Sequence, residues 1–182
     1  MPRKNAHEIV STLGRGMFST AYLRRDGKVL LKSDDHVKEA MSMGFFPNSR
    51  LFPRIERIGH DGERQHYLMP RYRKVTAPKR QLLPQDYAVY RALRELSGRF
   101  SDAAELSARF ERLECRRTRK ALLGAVDGLR NYSNEIGFEI SPRNIALSPS
   151  GRLLLLDCFF MVQQLHDKRR EREQRMRNRG WY

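Results

Sequence analysis

Cysteine is almost absent from this chain. Only Cys115 and Cys158 occur among 182 residues, far apart in sequence. Two such residues make neither a disulfide framework nor a metal-ligand spacing. Long apolar runs are missing too: no stretch approaches the roughly 20 residues that a membrane-spanning helix needs. The basic start MPRKNAHE leads into no apolar region of the kind a secretory signal carries. No internal repeat is visible. These absences predict a soluble protein of a reducing cytoplasm with no membrane partner. Acidic residues are in the minority, 21 against 36 Lys and Arg, for a net charge of +15. A surface so basic predicts polyanionic partners, whether nucleic acid, nucleotides or acidic proteins, without selecting among them.

What is present suffices for a core, with 40% apolar residues in a length that suits one domain or one domain of two lobes. The first seventy residues read as short strands and turns. Residues 8–14 end in Leu13-Gly14, FSTAYLR (18–24) alternates, Asp26-Gly27 supplies a hairpin turn, and KVLLK (28–32) follows as a third strand. SDDHVKEAMSMG predicts a helix capped by Ser33 or Asp34 and stopped at Gly44. Two more strands, near 55–60 and 64–69, flank the turn at 60–63. The expectation is a twisted antiparallel sheet carrying one helix.

The character changes from Pro84 onward, across a boundary at 71–83. PQDYAVYRALRELSGRF predicts a helix with Tyr87, Tyr90, Leu93 and Leu96 on one face. SDAAELSARFERLECR opens with a Ser101/Glu105 cap signal and sets Ala104, Ala108 and Phe110 near one side. TRKALLGAVDGLRNYSNEIG predicts a third helix, the most buried of the set. A turn-rich, strand-like segment follows, ISPRNIALSPSGRLLLLDCFF (140–160).

Several residues carry chemistry if they meet. Gly14 and Gly16, between two predicted strands, permit a tight turn whose backbone approaches a ligand closely, although a G-x-G alone equally describes an ordinary glycine hairpin. Lys32 closes an apolar strand, so its ammonium needs a partner, which Glu39 on the following helix can supply. Glu139, Asn144 and Asp157 stand in that order around the leucine run. Taken singly, Asn144 reads as a turn cap and Asp157 as a strand end bonding backbone amides.

Together these positions resemble the protein-kinase superfamily. Glu139, Asn144 and Asp157 have the spacing of its catalytic loop and metal-binding aspartate, with Pro142 at a matching proline. Gly14, Gly16, Phe18, Ala21, Lys32 and Glu39 precede them in kinase order. More narrowly, LGRGMFSTAY and FEISPRNIALSPSGRLLLLD are similar to the glycine loop and catalytic segment of the small early serine/threonine protein kinases of T-odd podophages, which also carry a basic C-terminal tail. The resemblance covers residues 8 to 160 in outline. It implies an α+β, bilobal, protein-kinase-like fold: an N-lobe of small antiparallel sheet and one helix (1–72), a reduced, mostly helical C-lobe (73–163), and a basic helical tail (164–182).

It also implies roles. ATP and Mg²⁺ would be the cofactors, with the backbone around Gly14, Arg15, Gly16, Phe18 and Ser19 over the phosphates, Ala21 in the same nucleotide site, and Leu68, Met69 and Pro70 near adenine. Lys32, braced by Glu39, would contact phosphate; Asn144 and Asp157 would hold Mg²⁺; Glu139 would take the hydroxyl proton, with Arg143 reaching the γ phosphate. The partners implied are host proteins of transcription or translation. This chain departs from the kinase pattern at Glu139, where an aspartate is usual, at Gly137-Phe138 before it, at Ser141 in the catalytic-lysine position, and at Asp157-Cys158-Phe159. Those departures keep two alternatives open: a kinase-shaped binding module, or a small-molecule phosphotransferase. The tail, DKRREREQRMRNRGWY, reads either as a solvated helix or as a contact for nucleic acid or a ribonucleoprotein.

Overall fold

The computed structural model describes residues 8–99 and 102–178. Its first part is a five-stranded antiparallel sheet of β1 (Ile9–Arg15), β2 (Ser19–Arg24), β3 (Val29–Ser33), β4 (Glu56–His60) and β5 (Gln65–Met69), with one helix, α1 (His36–Ser42), between β3 and β4. The strand order is β1-β2-β3-β5-β4. Gly27 and Gly62 turn the β2–β3 and β4–β5 hairpins at φ of 78° and 93°, conformations that a side chain would strain. Gly44, at φ 81°, ends α1 as expected. The cap of α1 lies one residue beyond the expected positions: the Asp35 carboxylate accepts the Val37 N–H. Ser33 is otherwise engaged, since its hydroxyl bonds Ser19 and receives the Asp35 N–H.

The rest is mainly helical. In order come β6 (Arg73–Lys74), α2 (Pro78–Gln81), α3 (Pro84–Glu95), β7 (Gly98–Arg99), α4 (Ala103–Glu111), α5 (Arg116–Leu129), β8 (Ile136–Phe138), β9 (Ile145–Leu147), β10 (Leu153–Leu155), β11 (Phe159–Met161) and α6 (Val162–Arg177). Two small sheets, β10-β9-β6 and β11-β8-β7, clamp the loop between β8 and β9. On α3, Tyr90 and Leu93 are buried as the spacing predicts, while Tyr87 and Leu96 reach only half-burial. Asp86 joins the buried face because Arg152 binds it through two hydrogen bonds. On α4 the buried face is Ala103, Leu106 and Phe110, with Ala104 and Ala108 turned outward. The large side chains at i and i+4 set that face, and the small alanines follow. The Asp102 carboxylate caps α4 by accepting the Glu105 N–H; Ser101 lies outside the described residues. On α5, Leu122, Ala125, Val126 and Leu129 are fully buried, matching the expectation that it is the most enclosed helix.

An aromatic cluster joins the two parts. Phe159 of β11 packs against Phe46 and Phe52 from the segment after α1, and against Phe110 and Phe138 from the helical side. Each such buried ring contributes about 1.5–3 kcal/mol relative to an exposed one. The segment after α1 also approaches α5 closely: a Cβ on Gly128 would lie 2.0 Å from the carbonyl oxygen of Phe45. That contact holds α1 against the helical part, which matters for the site.

Candidate functional site

The loop between β8 and β9 brings three of the expected residues together through the backbone. Asn144 donates its N–H to the Ser141 carbonyl at 3.0 Å. Its own carbonyl accepts the N–H groups of Leu156 and Asp157, at 2.8 and 3.2 Å, and the buried Cys158 thiol at 3.4 Å. The side-chain amide of Asn144 donates to the Glu139 carbonyl at 3.3 Å, and the Glu139 N–H donates to Cys158 at 2.8 Å. The thirteen-residue separation of Asn144 from Asp157 thus closes to one hydrogen bond, because β9 and β10 pair as a hairpin. All three residues of β10 are buried, and the chain surfaces at Asp157. Glu139, Arg143 and Asp157 are exposed, on either side of buried Ile140 and Cys158. Burial pushes the Cys158 thiol up, so it stays neutral. Glycine at 137 follows from packing: a Cβ there would meet the ring of Phe160 at 2.0 Å.

Lys32 does not meet Glu39. Its ammonium donates to Asp61 at 2.9 Å, and Asp61 also bonds His66, the residue directly opposite Lys32 on β5. Those two hydrogen bonds, Lys32 first, hold the Asp61 carboxyl below the usual carboxylate range. The strand pleat is the reason for the correction, since successive residues point to opposite faces. Tyr67 lies opposite Leu31 and senses the charge of Glu39, which assigns Val29, Leu31 and Ser33 to the face toward α1. Lys32, between Leu31 and Ser33, belongs to the other face. There it joins Thr20, which accepts from Arg64, as well as His66 and Asp61. Glu39 is half-buried and has no side-chain hydrogen bond or ion pair among the described residues.

A different lysine occupies the inner side. Lys38, in the first turn of α1, is buried, and its ammonium donates to Asp157 Oδ1 at 2.7 Å and to the Leu156 carbonyl at 2.8 Å. Asp35 Oδ2 lies 3.9 Å away on the same turn. Burial alone would depress the Lys38 pKa, but the carboxylates of Asp157 and Asp35 outweigh it and hold the lysine above its ordinary value. Asp35 is pushed up to about 6, by its burial first and by Asp157. Sequence reasoning missed Lys38. The available signal was the Asp35–Lys38 spacing of i,i+3 in the first turn of a helix.

The remaining positions gather at the glycine turn and the β5 end. Gly14 stands opposite Ala21, and Arg15 opposite Thr20. Phe18 is half-buried and its carbonyl accepts the Ser33 hydroxyl and the Asp34 N–H. Neither Gly14 nor Gly16 has positive φ, and a Cβ on Gly14 would meet nothing within 4 Å. Nothing within the chain therefore demands glycine at 14, and the open space beside it suits a close external ligand. Ala21, Leu31 and Met69 share the inner face. Leu68, opposite Leu30, faces outward with Lys32, so of the two expected adenine neighbours on β5 only Met69 is on the side of α1.

α6 begins directly after β11 and packs along the start of α1. Gln164 donates to the Asp34 carbonyl at 2.6 Å and accepts the His36 N–H, and Lys168 pairs with Asp34 at 2.7 Å. Between α6, the glycine turn and the β4–β5 turn lies a cavity of about 570 Å³, lined by Gly16, Met17, Arg64, Lys168, Arg172 and Arg175 among others. α6 exposes Arg169, Arg170, Arg172, Arg175 and Arg177.

The donors suit a magnesium ion. Asn144 Oδ1 and Asp157 Oδ2 are hard oxygen donors with no partner among the described residues, and the Asp157 side chain is 61% exposed. Two protein oxygens with phosphate and water completing the shell are the usual arrangement for this ion. Among the described residues no helix is long and apolar enough to cross a membrane.

No family model matches the chain, and no curated protein is similar to it. Among solved structures it is similar to the PknI kinase domain of Mycobacterium tuberculosis, with 15% identity and a TM-score of 0.41 over 84% of this chain and 59% of that one. A doubly substituted form of the same domain gives 16% identity and a TM-score of 0.42 over 84% and 60%. The chain spans about 60% of the length of the kinase domain it matches.

Proposed function

We propose that this protein is an ATP- and Mg²⁺-dependent serine/threonine protein kinase of the small phage type, acting on host proteins. The observation that carries the reading is the pairing of Asn144 with Asp157. Two oxygen ligands thirteen residues apart are joined by one backbone hydrogen bond, with Glu139 tied to the same hairpin through Cys158. The uncrowded glycine turn and the inner-face Met69 support a nucleotide beneath the sheet.

In the reaction, a substrate hydroxyl oxygen forms a bond to the γ phosphorus while the bond to the β–γ bridging oxygen breaks and ADP leaves. Mg²⁺ would neutralise the phosphate charge that builds as that bond breaks. Asn144 Oδ1 and Asp157 Oδ2 would hold it. Glu139, exposed at the loop, receives the hydroxyl proton, and Arg143, exposed on the same loop, attracts the transferring group. The exposed arginines of α6 add a basic face for nucleic acid or a ribonucleoprotein.

A second reading has its own support. Glu139 replaces the usual aspartate, Lys32 faces away from α1, and one oxygen of Asp157 is already held by Lys38. These features suit a kinase-shaped binding module that docks on a host protein or nucleic acid. A small-molecule phosphotransferase is the third outcome of the same test. Purified protein is incubated with labelled ATP, Mg²⁺ and host lysate, beside Asn144→Ala and Asp157→Ala variants. Label on protein bands, lost in both variants, supports the kinase. Nucleotide binding without transfer favours the binding module, and label confined to small metabolites favours the phosphotransferase.

A further inference from the structure

We propose that the ammonium of this site comes from α1 and not from β3: Lys38 is the positioning residue that fixes Asp157 through Oδ1 and leaves Oδ2 aimed outward for the metal. The inference rests on the nucleotide-site reading above, and four observations carry it.

The first is the strand register. Ala21 stands opposite Leu31, and Thr20 opposite Lys32, so the inner-face residue at the glycine-turn end of β3 is Ser33. Its hydroxyl bonds Ser19 and the Phe18 carbonyl, which closes the base of the glycine turn but brings no positive charge. The second is the engagement of Lys32. Asp61 and His66 hold it in a polar cluster on the far face, and bringing it inward would require a one-residue slip that turns the whole strand over.

The third is the geometry of Lys38. Its side chain is 7% exposed, and its ammonium donates to Leu156 O and Asp157 Oδ1 and lies 3.9 Å from Asp35 Oδ2. The chain thus spends a buried cation on holding a single oxygen of a carboxylate whose side chain is otherwise exposed. A buried ammonium is costly unless its donors are met, and here Asp157 Oδ1 and the Leu156 carbonyl meet two of them while the rest of the Asp157 carboxylate stays in solvent. Here one oxygen is fixed and the other is free, which is the arrangement that orients a ligand. The fourth is the charge balance. Asp35 and Asp157 bring two negative charges against one from Lys38, so the cluster retains a net negative charge that a divalent cation at Asp157 Oδ2 offsets.

Asp35 completes the device. As the cap of α1 it fixes the first turn of the helix, and so the position of Lys38. The segment that follows is locked to α5 at the Phe45–Gly128 approach. Lys38 therefore reaches Asp157 from a helix anchored at both ends.

The test measures ATP binding to the full chain by calorimetry across a Mg²⁺ series, with phosphate transfer measured in parallel and folding followed by circular dichroism. Lys32→Ala should stay within about twofold of wild type in ATP affinity and in the Mg²⁺ concentration for half-saturation. Lys38→Met should shift that Mg²⁺ concentration at least tenfold and lower transfer about a hundredfold, the loss that follows when a reacting group moves by about 1 Å. Lys38→Arg should recover part of both effects, because a guanidinium still reaches one carboxylate oxygen. A purely structural role for Lys38 would lower the melting temperature without moving the Mg²⁺ dependence of the folded fraction. An unchanged Mg²⁺ dependence in folded Lys38→Met overturns the inference alone. Loss of Mg²⁺-dependent ATP binding in Lys32→Ala also overturns it, whether or not Lys38→Met folds. Wild-type protein that binds no ATP at any Mg²⁺ concentration overturns the nucleotide-site reading, and this inference with it.

Discussion

Two glycines of α5, one turn apart, should respond to alanine with opposite signs. Gly128 faces the backbone of Phe45: an added Cβ would lie 2.0 Å from its carbonyl oxygen and 2.8 Å from its carbonyl carbon. Gly124 faces only the ring of Pro47, with the nearest atom 3.3 Å away. Both substitutions gain about 1 kcal/mol from helix propensity. At Gly124 the proline ring yields by a few tenths of an ångström, and most of that gain survives. At Gly128 no rotamer change relieves a backbone contact, so α5 and the segment after α1 must separate by on the order of 1 Å. Such overpacking costs about 1–3 kcal/mol, and backbone against backbone belongs at the upper end. The net loss is about 1–2 kcal/mol, which for a chain of this length lowers the melting temperature by roughly 2–8 °C. Gly124→Ala should leave it unchanged or raise it by up to about 4 °C. Thermal unfolding followed at 222 nm decides between them. Because that approach also anchors α1, Gly128→Ala should weaken Mg²⁺-dependent ATP binding while Gly124→Ala does not. A Gly128→Ala melting temperature at or above wild type would refute the reasoning.

Other perturbations have outcomes of similar definition. Asp86→Ala removes the acceptor of two Arg152 hydrogen bonds and of the Leu153 N–H, and should lower stability by about 2–3 kcal/mol; an unchanged urea midpoint would count against it. Asp102→Ala deletes the cap of α4, accepted from Glu105 at 2.7 Å, for a loss of about 1 kcal/mol read by the same titration. Asp35 should impose a pH dependence. With its folded pKa raised from 3.8 to about 6, the folded state binds more protons than the unfolded one between those values. Its contribution is therefore greatest below the lower value and falls as pH rises through the upper one. Asp35→Asn keeps a capping side chain and should flatten that fall in denaturant titrations at pH 4 to 7. An equal slope in both proteins would show that another group is responsible.

Much of the architecture was legible from local pattern. Asp26-Gly27 and the glycine at 62 marked the hairpins, Gly44 the end of α1, and the apolar spacing of 118–129 the buried helix, because turn chemistry and periodicity act over a few residues. The order Glu139, Asn144, Asp157 was legible for the same reason: a hairpin of fixed length joins the last two. Misreadings arose where several short signals competed. Ser33 and Asp34 offered caps as good as Asp35 in sequence, and Ala104 and Ala108 gave a helical spacing that Leu106 and Phe110 overrode in packing.

The chain itself determined that a basic, cysteine-poor sequence would form an antiparallel sheet with one helix, followed by a helical part closing on a turn-rich hairpin. Tertiary structure decided which charges meet. A strand of period two reverses its faces with a shift of one residue, so the sequence VLLKS does not state whether Lys32 or Ser33 looks inward. Pairing with β2 and β5 settles that, and it turns Lys32 toward Asp61. Lys38 and Asp157 are 119 residues apart, and only the packing of α1 against β11 and α5 brings them to 2.7 Å. Local chemistry selects elements, whereas a buried ion pair exists only once the elements have packed.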